Sequence, residues 1–280
     1  MFAGRGRPLK IQKSMKQSIF TILENKRLAP SVFRMELVGD TSQITAPGQF
    51  VNIRLEGRFL RRPISVCDKA EDRLVLIYKV VGHGTQQLSE MAPGTQLDLL
   101  TGLGNGYDLS KCGEKPLLIG GGAGVPPMYW LCRELIALGK EVTVILGFNT
   151  AEEVFYEAEF AALGARTIVM TADGSYGRKG FVTDGMTALE KECGFAEKDA
   201  QQPDCAGSSA DTFYSYIYTC GPMPMFRAIN QVARTSGQFS FEERMGCGFG
   251  ACMGCSCKTI TGYKRICKDG PVREREEIFW

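Results

Sequence analysis

At 280 residues, 44% of them hydrophobic, the chain is long enough for two medium domains or three small ones, each with its own core. With 33 basic against 31 acidic side chains the net charge is only +2, which argues against a nucleic-acid binder that must neutralise many phosphates and favours a small molecule or a protein as partner. The longest uncharged run, residues 116–132, holds three prolines and four glycines, so it reads as a strand–loop–helix junction and no membrane span is expected.

Residues 1–15 carry Arg5, Arg7, Lys10 and Lys13 without the apolar stretch a secretory signal needs, and are expected to be a disordered basic arm. From 16 to 108, short runs alternate apolar and polar residues at 20–23, 33–37, 50–55 and 74–81, with turns at Pro47-Gly48 and Pro93-Gly94. Short strands so punctuated predict an antiparallel barrel or sandwich. Within it, Arg62-Pro63-Ile64-Ser65 sets a guanidinium and a hydroxyl on one extended segment, as a phosphate ligand requires. Ile77-Tyr78-Lys79 then supplies a strand edge, and Gly84-Thr85 a turn able to donate to a ring or a pyrophosphate. His83, the single histidine, sits between two glycines and is read as a residue without chemistry, which removes most hydrolase schemes.

The pattern changes from 109 to 236, where a parallel α/β domain is predicted. A strand at 116–119 runs into Gly120-Gly121-Gly122-Ala123-Gly124-Val125-Pro126-Pro127, and a helix over 128–138 stops at Gly139. Such a glycine loop lets backbone N–H groups and a helix N-terminus meet a pyrophosphate, so Gly120, Gly121, Gly122, Gly124 and Pro127 are candidates for dinucleotide contact. Further strands are expected at 142–146, 167–170 and 214–218, helices at 153–163 and 224–235, and an exposed polar insertion at 197–212. Cys220, Gly221 and Pro222 follow the last strand, at the end of the sheet where such folds bind ligands. After the second strand, Gly147-Phe148-Asn149-Thr150 shows no acidic tip, so the usual cue separating NAD from NADP is missing.

Residues 237–280 are predicted to be a small metal-holding subdomain. Cys247, Cys252 and Cys255 form a C-x4-C-x2-C run matching plant-type [2Fe–2S] spacing, and Cys267 supplies the fourth thiolate. The interleaved Gly246, Gly248, Gly250 and Gly254 let the backbone wrap a cluster closely. Cys257 is the fifth candidate for four places and is taken as the non-ligand. A structural zinc ion is the alternative for four thiolates, which would make the chain a zinc-stabilised nucleotide-binding module. Eleven cysteines used this way suit a reducing cytoplasm better than a disulfide framework.

The glycine loop and Thr219-Cys220-Gly221-Pro222 resemble the pyridine-nucleotide motifs of the ferredoxin-reductase superfamily, and Arg62-Pro63-Ile64-Ser65 resembles its R-x-x-S flavin-phosphate motif. With Leu103-Gly104-Asn105-Gly106 and the box ending in Cys267-Lys268-Asp269-Gly270-Pro271-Val272, the chain is similar over residues 16–276 to the electron-transfer subunits of class 1B dihydroorotate dehydrogenase. That resemblance implies an FAD-binding barrel, an NAD(H)-binding α/β domain with Cys220 as catalytic residue near the nicotinamide, and a [2Fe–2S] cluster on Cys247, Cys252, Cys255 and Cys267. It also implies an FMN-containing catalytic subunit as partner, in a heterotetramer of two of each. The same architecture occurs in the FAD subunits of NADH-dependent ferredoxin:NADP oxidoreductase and of sulfide dehydrogenase, where an aspartate can replace one cluster ligand.

Overall fold

The computed structural model describes residues 15–192 and 213–280, and the expectations for the basic arm and for the 197–212 insertion lie outside them, Met15 excepted. Among the described residues no helix is long and apolar enough to cross a membrane.

The first half closes into a six-stranded antiparallel barrel. Its strands are β1 (Lys16–Ala29), β2 (Val32–Val38), β3 (Phe50–Ile53), β4 (Arg62–Lys69), β5 (Arg73–Lys79) and β6 (Gln96–Leu103), ordered β1-β2-β5-β4-β3-β6, with α1 (His83–Ser89) between the last two. Alternation explains the closure: Phe20 and Ile22, Met35 and Leu37, and Leu97 and Leu99 point inward and are fully or almost fully buried. All four apolar runs of the sequence overlap strands, those at 50–55 and 74–81 outrunning β3 and β5 by two residues each. The sequence marks only the first half of β4 as extended, and β6 escapes because its alternation breaks at the adjacent Leu99 and Leu100.

The second half is a seven-stranded sheet ordered β10-β9-β8-β7-β11-β12-β15, with β15 (Val272–Glu274) at its edge. In chain order its elements are β7 (Pro116–Gly121), α2 (Pro126–Ala137), β8 (Thr143–Phe148), α3 (Glu157–Ala162), β9 (Arg166–Thr171), β10 (Arg178–Lys179), α4 (Val182–Glu192), β11 (Tyr216–Cys220), α5 (Met223–Val232) and β12 (Gly237–Ser240). All these strands are parallel. The chain builds outward from β7 through β8 and β9, then returns to place β11 on the other side of β7. The strand order therefore reverses at β7 and β11, the place where open α/β sheets bind ligands.

The cysteine segment follows with β13 (Ser256–Thr259), β14 (Gly262–Arg265), α6 (Ile266–Asp269) and β15 (Val272–Glu274). Where the sequence put the end of the α/β domain at 236, the sheet continues through β12 and takes in β15, antiparallel to it. The cysteine segment is thus an excursion between two neighbouring strands.

Helix α2 joins the halves. Trp130 enters the barrel's apolar cluster, while Arg133 pairs with Asp68 and donates Nη2–H to the Lys69 carbonyl at 3.1 Å. A second tie runs from the barrel exit to β15, where the Asn105 amide donates to the Val272 carbonyl at 2.7 Å and accepts from its N–H at 3.0 Å. Losing both bonds strands the two Val272 backbone groups, so Asn105→Ala is expected to cost about 1–3 kcal/mol, read as a lower denaturant midpoint.

Candidate functional site: two clefts and a thiol cage

The barrel opens where β4 changes partner. Its first half, Arg62 to Ser65, pairs with β3, and its second half, from Val66 on, pairs with β5 across a register shift. Ile77 to Lys79 at the end of β5 pair with β2 on one side only. Facing backbone edges therefore splay apart, and between them lies a cleft of about 940 Å³ lined by Arg62, Pro63, Ile64, Ser65, Ile77, Tyr78, Lys79 and Thr85. Unpaired strand groups can serve a flat heteroaromatic ring, and Arg62 a phosphate.

Three of these residues play narrower parts than the sequence suggested. The Tyr78 phenol turns away to donate to Asn25 at 3.0 Å, so Tyr78 offers the cleft its backbone. The Thr85 hydroxyl holds its own turn, accepting from the Val81 N–H at 3.0 Å and donating to the Gly82 carbonyl at 3.1 Å. Gly84 does not line the cleft; a Cβ there would fall on the Arg62 guanidinium, so its bareness lets Arg62 lie against α1.

The second cleft, about 590 Å³, lies at the ends of β7, β8 and β11 and is lined by Gly121, Gly122, Gly124, Gly147, Gly221 and Pro222, among others. Gly120 and Cys220 are register partners, which sets the two motifs side by side. A Cβ on Gly124 would fall on the Cys220 carbonyl, and one on Gly120 would lie 2.8 Å from Val125 Cα. Gly122 has φ +52° and open space around it. Thus Gly122 needs freedom, whereas Gly120 and Gly124 need absence of bulk. Gly120, Pro127 and Cys220 stand behind the wall. Cys220 is only 1% exposed, and burial raises its thiol well above the usual range, so it is neutral.

Lys79, Ala123 and Glu242 line both clefts, which meet there. Lys79 Nζ stands 3.3 Å from Glu153 Oε1 at the lip of the second cleft. Glu242 reaches solvent through the open clefts, while the protein around most of its bulk pushes its carboxyl up. Sequence reasoning missed Glu242, Glu153 and the far wall of the barrel cleft, formed by Phe241, Arg244, Met245 and Pro271. Glu153 follows β8 in the α/β domain, while the others come from the cysteine segment and meet the barrel only in the folded chain, where the sole local signal was Met245 two places before Cys247.

The cysteines gather in twos. The Cys252 N–H donates to Cys247 Sγ at 3.4 Å and the Cys247 N–H to Cys252 Sγ at 3.4 Å, while the Cys267 N–H donates to Cys255 Sγ at 3.4 Å. Among the described residues, no three or more His, Cys, Asp or Glu side chains surround one point. Two thiol pairs are the donor set a binuclear cluster takes, two for each iron. Burial pushes the Cys247 thiol up, but the N–H groups of Cys252 and Phe249, the Cys252 side chain and the Ala251 N–H together hold it down to about 6. Cys267 is pushed up to about 12, first by burial and then by Cys255. Cys257 belongs to neither pair; it lies half-buried on β13, opposite Lys264. The segment sits on the barrel floor through Asn52, whose amide donates to the Cys247 carbonyl at 3.4 Å. Gly248, at φ +78°, has no room for a Cβ against that amide.

Residues 242–279 match the iron–sulfur cluster binding domain of dihydroorotate dehydrogenase B, and residues 118–231 match the oxidoreductase NAD-binding domain. The chain is 41% identical over 276 residues to the electron transfer subunit of dihydroorotate dehydrogenase B (NAD(+)) of Geobacillus sp. (strain WCH70), covering 94% of this chain and 99% of that protein. Its Fusobacterium nucleatum counterpart is 41% identical over 268 residues, 92% of this chain and 96% of the relative. Among solved structures, the NADH-dependent reduced ferredoxin-NADP oxidoreductase superposes with a TM-score of 0.77 at 29% identity, over 93% of this chain and 90% of that one. A ferredoxin NADP+ reductase from Neisseria gonorrhoeae with bound FAD and NADP shares the fold at TM-score 0.63 and 19% identity, over 78% and 90% of the two chains.

Proposed function

Since this chain belongs to the family of dihydroorotate dehydrogenase B electron transfer subunits, we propose that it carries electrons between NAD(H), bound in the α/β cleft, and an FMN-containing catalytic subunit docked near its thiol cage. It is an NAD-dependent oxidoreductase component of pyrimidine biosynthesis with FAD, a [2Fe–2S] cluster and NAD(H) as cofactors, and its substrate-oxidising partner is a separate catalytic chain. A heterotetramer of two of each chain, working in the cytoplasm, is the assembly we propose.

The observation that carries this reading is the meeting of the two clefts at Lys79, Ala123 and Glu242, with the cysteine segment forming the far wall of the barrel cleft. When bound, FAD supplies the conversion between the two-electron chemistry of nicotinamide and the one-electron chemistry of an iron–sulfur cluster. The chain's own contribution is positioning. Arg62 and Ser65 hold the flavin's phosphate end, and the backbone of Ile77, Tyr78 and Lys79 holds its ring, with Gly84 and Thr85 shaping the turn behind. The bare loop Gly120 to Gly124, begun by a β-strand and ended by the prolines of α2, takes the NAD pyrophosphate. Gly221 and Pro222 form the floor beneath the nicotinamide, and Cys220 backs them from behind, its neutral, buried thiol placing no charge there. Cys247 with Cys252 and Cys255 with Cys267 each hold one iron. Residues 1–15, 16–108, 109–236 and 237–280 remain the functional division, though β12 and β15 lock the last part into the sheet of the third.

The purified chain is expected to contain FAD, iron and acid-labile sulfide at about one flavin to two irons, and to pass electrons from NADH to an artificial acceptor. It should not turn over dihydroorotate without the catalytic chain, to which this reading assigns substrate oxidation. Zinc in place of iron in anaerobically prepared protein, or dihydroorotate turnover by the chain alone, would overturn the reading.

A further inference from the structure

Arg273 on β15 is only 8% exposed, and its Nε and Nη2 are buried without a hydrogen-bond partner. A guanidinium stays charged at any ordinary pH, and an unpaired buried charge costs several kcal/mol on the order-of-magnitude scale for such groups. Something must therefore compensate it in the working protein.

Its position indicates what. Arg273 is the register partner of Phe239, so the two side chains share a face of the sheet. Phe239 belongs to the apolar layer that also contains Cys255 and Cys267. A Cβ on Gly270, the residue ending α6, would lie 3.6 Å from Arg273 Nε, which sets the guanidinium beside the turn that follows Cys267 and Asp269. Its charge is felt by Cys257 and by Asp269. Neither pairs with it: Cys257 makes no hydrogen bond to Nε or Nη2, and Asp269 is occupied by Arg265, Nε to Oδ2 at 3.1 Å and Nη2 to Oδ1 at 3.3 Å. Arg265 spends its remaining reach on the Gly250 carbonyl, at 2.8 Å.

We propose that Arg273 is the buried counter-charge of the iron–sulfur cluster, a positioning residue whose guanidinium is compensated by the negative charge of the thiolate cage and which in return makes the cluster easier to reduce. The inference rests on the cluster reading above. A cluster held by four thiolates is net negative and becomes more so when it takes an electron, so a nearby fixed positive charge stabilises the reduced form more than the oxidised one. In the iron-free chain Nε and Nη2 have no hydrogen-bond partner, and there the charge works against folding.

The two halves of the proposal make one test with opposite signs. In full-length Arg273→Met, an EPR-monitored redox titration is expected to show the ratio of reduced to oxidised cluster at a fixed ambient potential falling about tenfold, a 59 mV lower midpoint for one electron. Arg273→Lys, which keeps the charge, should stay closer to the parent. Thermal unfolding of Arg273→Met should fall below the parent in the iron-loaded chain and match or exceed it after iron removal by chelation. An unchanged midpoint, equal destabilisation with and without iron, or an Arg273→Met chain that folds in neither form would each overturn the proposal. Iron and sulfide analysis of the parent separates this failure from that of the cluster assignment itself, which would show as a parent chain without iron.

Discussion

Alanine at Cys247, Cys252, Cys255 or Cys267 is expected to abolish both the visible absorption of the cluster and its reduced-state EPR signal, whereas Cys257→Ala keeps both. Each of the four thiols has one partner in the folded chain, Cys252 for Cys247 and Cys267 for Cys255, so removing any one leaves an iron with half its protein ligands. Cys257 stands outside the pairs, and alanine there removes one sulfur from the edge of the apolar layer, a loss of about 1 kcal/mol at most. Loss of signal from Cys257→Ala with retention in Cys255→Ala would move the ligand assignment by two residues. Serine is a poorer probe, because its hydroxyl can ligate iron.

The second large effect falls on dinucleotide binding. Gly124→Ala places a methyl on the Cys220 carbonyl and 2.6 Å from the Gly221 nitrogen, and both belong to a strand end held in register with β7. Neither side can yield without moving the loop off the turn beside it, and overpacking of this kind costs about 1–3 kcal/mol. Expressed on the bound state, that is a rise of about fivefold to 150-fold in the dissociation constant for NADH. Flavin and iron contents should be unchanged. Gly122 makes a contrast: its Cβ position opens into the cleft at φ +52°, so alanine there adds a left-handed backbone penalty of about 1–2 kcal/mol on the ligand side of the loop without touching Cys220. NADH titration of both variants decides, and equal affinity in parent and Gly124→Ala would show that the close approach of the two motifs does not serve binding.

What could be read from the sequence was whatever chemistry concentrates in a few neighbouring residues. The C-x4-C-x2-C spacing, the glycine loop after a strand and the arginine before Ser65 each carry their meaning within ten positions, whereas the folded chain sets Cys247 beside Cys252 and Cys255 beside the more distant Cys267. The α/β domain showed through because the periods of 142–146 and 128–138 belong unmistakably to a strand and a helix. Helix α4 was missed, its apolar face thinned to Val182, Met186 and Leu189 among polar residues. β12 and β15 were missed because strands of four and three residues beside a glycine-rich segment have no period to display; pairing with β11 and with each other makes them strands. Glu242 and Lys79 are far apart in the chain and become neighbours of one junction only through closure of the barrel against the sheet. Cys220 was legible as a position but not as an environment, since its burial depends on Ser240 and Tyr107 arriving from elsewhere.

The excursion between β12 and β15 has an architectural consequence. The chain leaves the sheet at Ser240 and re-enters at Val272, and these two residues are register partners, only about 5 Å apart as adjacent strands are. A segment whose entry and exit coincide is a cassette: a tight turn can replace it without disturbing the order of the sheet. The same two strands could accept another insert, giving one dinucleotide-binding chassis different outlets. The cassette is also clamped at both ends, so it cannot swing away on a tether, and whatever docks against it meets a fixed electrical contact.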